Sequence, residues 1–176
     1  MKRITFVVVL ASLSFDGRAD AQPSTLTASR SVEEVARQLA GMWRLVGNPQ
    51  RLADGTTREG ANTVGYAFFD AAGKHMCFLS MNPNRPRWSA DVRPTPEQEL
   101  AASRGINTYC ATLDIHPAEG FMDRIYDINQ NPNAVGRPSR RWYSFQGSDR
   151  MTLRVDAAEL AKPVVETLFV WERVTK

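Results

Sequence analysis

The residues of this chain best suited to nucleophilic or metal chemistry are two histidines and two cysteines, His75, His116, Cys77 and Cys110. A nucleophile needs a base within hydrogen-bond reach, and a metal needs several ligands that converge. Neither histidine stands beside a Ser or Cys in a recognisable nucleophile motif, and the four residues make no metal-ligand spacing. No glycine-rich phosphate loop is present either. No cofactor and no metal are expected. His116 precedes Pro117 in a turn and is expected at the surface, and Asp114, Asp123 and Asp127 are scattered as on solvated strand faces.

Charge narrows the partners. The formal net charge is +3, with arginine clusters at Arg85, Arg87 and Arg93 and at Arg137, Arg140 and Arg141. Neither cluster has the density of a nucleic-acid patch. These arginines read as solvated surface or the rim of a pocket, with no nucleic-acid partner.

The first residues point to export. Lys2 and Arg3 precede an apolar run from Ile4 to Phe15, and Ala19-Asp20-Ala21 supplies an A-x-A site before Gln22. That is the pattern of a secretory signal peptide over residues 1–21, cut after Ala21. The run is shorter than the about 20 apolar residues that span a bilayer, so stable membrane insertion is not expected. Residues 22–30 read as a flexible leader and 31–176 as one domain, in a periplasmic or secreted protein. Loss of Lys2, Arg3, Arg18, Asp16 and Asp20 would lower the net charge by one. An oxidising compartment permits a disulfide between Cys77 and Cys110.

The elements that position these residues are mostly strands. Ser31 and Glu34 form a capping box, and Val32, Val35, Ala36, Leu39 and Ala40 fall at helical spacing until Gly41. Strand patterns follow at 43–47, 64–70, 74–81, 106–115, 121–129, 140–145, 150–155 and 165–174. Residues 48–63 read as a loop. An insertion, 82–104, between the third and fourth strands carries a second helix signal, with Thr95 as N-cap and Pro96 in the first turn. It reads either as a lid over the barrel mouth or as a surface elaboration. Eight successive strands with short connections predict an all-β fold, an antiparallel up-and-down barrel with a short N-terminal helix and a helical insertion.

Pairing Met81 with Ile106 sets Cys77 opposite Cys110, Phe78 opposite Tyr109 and Met76 opposite Ala111. Opposed Cβ atoms lie near disulfide distance, so Cys77 and Cys110 form either a bond or a free buried pair. With Met76 and Phe78 inward, His75 points outward. Alternation then offers Tyr66, Phe68, Met76, Phe78, Tyr109, Leu113, Arg124, Tyr126, Arg140 and Trp142 as inward residues. They either line a small-molecule pocket or merely fill a narrow barrel, with both arginines solvent-facing.

A helix leading into Gly41-Met42-Trp43, eight antiparallel strands and Arg173 within "LFVWERV" resemble a lipocalin. The resemblance implies that Trp43 packs at the closed end and that Arg173 lies across it, a cation–π contact. More narrowly, "GMWRLV", "TVGYAFFDAAGKHMCFLSMNPNRP", "YCATLDI", "NPNAVGRPSRRWYSF", "DRMTLRV" and "LFVWERV" are similar to the bacterial and fungal lipocalin-like domain family. Two positions depart from the family pattern: Arg124-Ile125 stand where paired histidines are frequent, and Ala134 where an aromatic is frequent. The expected function is binding of a small apolar or amphipathic molecule without catalysis. The alternative is an isomerase or cyclase in which Tyr109, Arg124 or Arg140 donates to a substrate carbonyl. A third is an interaction module of the cell envelope.

Overall fold

The computed structural model describes residues 30–60, 63–85 and 87–175. The expected signal peptide and all of the expected leader except Arg30 lie outside the described residues. Helix α1 (Val32–Leu39) opens with Ser31 Oγ accepting from the Glu34 amide while the Glu34 carboxylate accepts from the Ser31 amide. Both bonds satisfy N–H groups that a helix start leaves unpaired. Its apolar face, Val35, Ala36 and Leu39, is buried against the barrel end. Gly73 allows that approach: at φ +67° it sits in the left-handed region, and a Cβ there would meet Ala36 Cβ at 2.5 Å.

The strands are β1 (Gly41–Gly47), β2 (Pro49–Leu52), β3 (Thr57–Glu59), β4 (Val64–Phe69), β5 (His75–Met81), β6 (Ile106–His116), β7 (Phe121–Asn129), β8 (Pro138–Gln146), β9 (Arg150–Val155) and β10 (Val164–Arg173). β1 and β4 to β10 pair antiparallel in sequence order, and β1 pairs with β10 to close an eight-stranded ring. Closure leaves those eight strands no free edge. Where a loop was expected over 48–63, β2 and β3 form a hairpin arm, with β2 continuing the pairing of β1 along β10. The alternation in this stretch is too short and polar to announce strands; they form because β10 extends past the end of β1 and offers its edge.

Helix α2 (Pro96–Arg104) lies in the segment between β5 and β6, capped by Thr95 and Gln98. It buries no residue. The Gln130 side chain donates to Ser103 O at 2.7 Å, and the Asn82 amide donates to Gly105 O at 2.8 Å. The insertion is thus moored to the barrel rim without filling the barrel. No described helix is long and apolar enough to cross a membrane.

The register of β5 and β6 is the expected one, with Cys77 opposite Cys110 and Phe78 opposite Tyr109, and the two cysteines are bonded. Two other strands face the reverse way to expectation. On β4 the inward residues are Gly65, Ala67 and Phe69, so Tyr66 and Phe68 lie on the outer face, 49% and 52% exposed. The reason is pairing: Ala67 opposes Phe78 and Phe69 opposes Met76, and opposed residues share a face. On β8, Ser139 and Arg141 are buried, so Arg140 and Trp142 point outward. Outside, Arg140 donates to both Asp123 oxygens at 2.8 Å and lies 3.6 Å above the Phe121 ring. Trp142 meets Phe121 edge-on and Arg154 stacks over its indole. His116, expected at the surface, is half-buried because its ring stacks on Phe121 at 4.4 Å. His75 is on the outer face beside Asp70.

The closed end is built around Trp43, which is 0% exposed. Its indole N–H donates to Leu39 O at 2.7 Å, and the Arg173 guanidinium lies 4.2 Å from its ring centroid. Arg173 also donates to Gln38 O and Ala40 O at 2.6 Å and to Ser148 O at 2.8 Å. One side chain thereby ties the end of α1, the β8–β9 turn and the barrel floor. Gly41 makes the junction from helix to strand at φ 110°, a conformation side chains rarely adopt.

Candidate functional site

Towards the other end the interior changes from apolar to polar. Arg124, on β7, is 2% exposed inside the barrel. It donates to the Tyr109 hydroxyl, to the Tyr126 hydroxyl at 3.1 Å and to Ser139 Oγ at 2.7 Å. Asp127, on β7, has no opposite number on β6. This bulge keeps Tyr126 opposite Ala111 and Asn129 opposite Tyr109.

A second arginine, Arg141 on β8, is also buried. Its Nη1 donates to Glu159 Oε2 at 2.8 Å and to Arg140 O at 2.5 Å. Glu159 ends a 3-10 turn, residues 157–159, in the β9–β10 connection, and its carboxylate also accepts from Ser139 Oγ and the Arg140 amide. Arg124, Ser139, Glu159 and Arg141 form one continuous network. Burial pushes the Tyr109 phenol above its usual range, against the opposing pull of Arg124, so the hydroxyl stays protonated at neutral pH. Burial, followed by the like charge of Arg124, holds Arg141 below the usual guanidinium range.

Beside this network lies a cavity of about 110 Å³. Met76, Phe78, Leu153, Phe169 and Trp171 form its apolar wall; Asn107, Tyr109, Tyr126, Asn129 and Arg141 supply polar groups. Phe78 stacks on Tyr109 at 5.0 Å and meets Trp171 edge-on at 5.8 Å. Two wider grooves, of about 350 and 290 Å³, open at the rim around Asn48 and Gly60 and around Asn82 and Asn107. They are less enclosed and lack the aromatic wall, so the interior cavity is the stronger candidate site.

Of the residues expected to line a cavity, Met76, Phe78, Tyr109 and Tyr126 border it. Arg124 stands behind the two tyrosines, Leu113 packs in the core, and Tyr66, Phe68, Arg140 and Trp142 are outside. Among the three donors an isomerase would use, only Tyr109 reaches the cavity. Sequence reading missed Ser139, Arg141, Glu159 and Trp171. Arg141 was reachable by carrying the inward set of "RMTLRV" across to β8, where Val155 opposes Arg141. Glu159 has no such signal, because it comes from a connection.

The arrangement can accept an oxygen-bearing group among several donors. The carboxylate of this network, Glu159, belongs to an exposed residue of the β9–β10 connection, is already engaged by three donors, and is poorly placed to act as a base. Among the described residues no group of three or more His, Cys, Asp or Glu side chains could hold a metal ion.

Comparison with known proteins gives a family. No curated protein matches the chain. Among solved structures, a redesigned β-barrel is similar at 11% identity and TM-score 0.41, covering 83% of this chain and 100% of its own. A de novo designed fluorescence-activating β-barrel is similar at 12% identity and TM-score 0.39, covering 80% of this chain and 97% of its own. The fold assignment rests on the strand pairing itself. The model of a family described as a lipocalin-like domain matches residues 40–174. A match of that length, on a chain whose strands close into a ring, makes the protein a member of the lipocalin-like domain family.

Proposed function

We propose that this chain is exported, loses residues 1–21, and binds one small amphipathic molecule inside the barrel without transforming it. The observation that carries the reading is the interior cavity, whose aromatic and aliphatic wall faces a row of hydrogen-bonding groups. Export is supported by the basic, apolar and A-x-A segments before Gln22. A disulfide between Cys77 and Cys110 suits an oxidising compartment.

Size sets the ligand. A volume of about 110 Å³ equals under four waters at about 30 Å³ each. Pockets for drug-sized molecules run from about 300 Å³. A long acyl chain or a polycyclic ligand does not fit; a compact molecule with a few carbons and one polar head does.

Native mass spectrometry of the protein recovered from the periplasm of an expressing bacterium tests both halves. The expected mass begins at Gln22, and a fraction of the protein carries a small, dissociable adduct. A mass retaining Met1 overturns export. Failure of every small amphipathic probe to shift the Trp171 indole resonance overturns the binding reading.

A further inference from the structure

The interior network leaves an imbalance that points to the charge of the ligand. We infer that the cavity takes a small carboxylate, held by the free donors of Arg141 and by the indole N–H of Trp171, while the exposed Glu159 engages Arg141 Nη1 from the β9–β10 connection. This rests on the reading of the cavity as a ligand site and specifies its chemistry.

The ionisable groups of the interior network and cavity are Arg124, Arg141, Glu159, Tyr109 and Tyr126. Two are guanidiniums and one is a carboxylate. Tyr109 does not supply a second negative charge, since burial favours its neutral form. The two buried guanidiniums therefore face a single carboxylate, that of the exposed Glu159, and a buried charge is costly unless a partner compensates it. Glu159 is bonded directly to Arg141 and reaches Arg124 only through Ser139.

Donor geometry is the second, independent observation. Trp171 is 2% exposed, lines the cavity, and its Nε1 meets no acceptor among the described residues. Arg141 lines the same cavity, and its Nε and Nη2 hydrogen-bond to no described residue. The buried, unpaired indole N–H carries its full desolvation cost, and the Arg141 donors remain available to a ligand. A carboxylate offers two oxygens and about four lone-pair sites, enough to accept from both side chains. Guanidinium and carboxylate also match in shape and charge. The wall of Met76, Phe78 and Leu153 argues against an inorganic anion, which would gain nothing from apolar contact. A short hydrocarbon carrying one carboxylate satisfies the volume, the wall and the donors together.

Butyrate and butyramide have nearly the same shape and differ in charge, so they separate this inference from the broader one. Each is titrated at neutral pH into ¹⁵N-labelled protein from expression of the full chain. The readouts are the Trp171 indole and Arg141 Nε–H resonances, with the Trp43 indole as a control at the closed end. Butyrate is expected to move both cavity resonances, leave Trp43 still, and bind at least about tenfold more tightly than butyramide. Glu159→Gln removes the carboxylate that competes for Arg141 and is expected to tighten butyrate by about tenfold, with a smaller effect on butyramide. Arg141→Gln is expected to abolish the preference for the anion. The comparison on the unmodified protein needs no variant to fold. Equal affinity for the two probes, or a preference for butyramide, overturns the carboxylate inference and leaves small-molecule binding intact. No response to butyrate, in the unmodified protein and in Glu159→Gln, overturns the carboxylate inference, whereas the binding reading falls only when uncharged small amphipathic probes also leave the Trp171 indole resonance unmoved.

Discussion

Arg173 offers the sharpest test of how the closed end is held. Replacing it by methionine keeps most of the aliphatic stem and removes the guanidinium. Three carbonyls, Gln38 O, Ala40 O and Ser148 O, lose a charged donor, and the Trp43 ring loses the cation 4.2 Å from its centroid. A hydrogen bond to a charged group contributes about 1.5–3 kcal/mol, and a desolvated cation–π contact about 2. These values do not add. Arg173 is only half-buried, so water recovers part of what each carbonyl loses. The expected net loss is about 3 kcal/mol, a large fraction of the 5–15 kcal/mol typical of a whole domain. With a urea m value of about 2 kcal/mol/M, the unfolding midpoint falls by about 1.5 M. Arg173→Lys keeps the charge but not the planar fork, and is expected to lose about half as much. A cycle with Trp43→Phe isolates the stacking itself, at about 1 kcal/mol. A midpoint shift below about 0.3 M for Arg173→Met would refute the reasoning, because water would then serve those carbonyls as well as the arginine does.

Three further outcomes follow from the geometry. Phe69→Ala, in the core, is expected to lose about 3–5 kcal/mol, whereas Phe68→Ser, on the outer face, is expected to change stability by about 1 kcal/mol or less; the reverse order in urea unfolding would put β4 the other way round. Replacing Cys77 and Cys110 together by Ala, a pair 33 residues apart, is expected to cost about 3–4 kcal/mol on the chain-entropy estimate, read against the unreduced protein under the same denaturant. Asp123 is held below its ordinary 3.8 by the Arg140 hydrogen bonds, so its contribution is full above that pH and lost as pH falls through the lower folded value. Asp123→Asn should therefore flatten the stability curve below about pH 4 in acid unfolding, and an unchanged acid limb would show that the pair stabilises nothing.

Much of the scaffold was legible because its signals are local. Ser31 with Glu34, and Thr95 with Gln98, announce helix starts through bonds made within one turn. The register of β5 on β6 could be written down by pairing Met81 with Ile106, which sets Cys77 opposite Cys110. Trp43 and Arg173 were legible in a different way, through resemblance to a family whose closed end uses that pair. The 48–63 arm was not legible, since its strands exist only where β10 offers an edge.

Alternation divides a strand into two faces but does not say which one turns inward. On β4 the larger residues, Tyr66 and Phe68, looked like core, yet a closed barrel with Met76 and Phe78 inside has room opposite them only for Ala67 and one large side chain, Phe69, near the floor. On β8 the same ambiguity hid Arg141 behind Arg140, its neighbour of identical chemistry. Glu159, itself exposed, bonds the buried Ser139 and Arg141 from a connection, through contacts 18 to 20 residues back along the chain. The chain order of polar and apolar residues thus determined the strands, the caps and the barrel. Which arginine is buried, what compensates it and how small the cavity is were decided by closure, because only closure makes the strands agree on one inside.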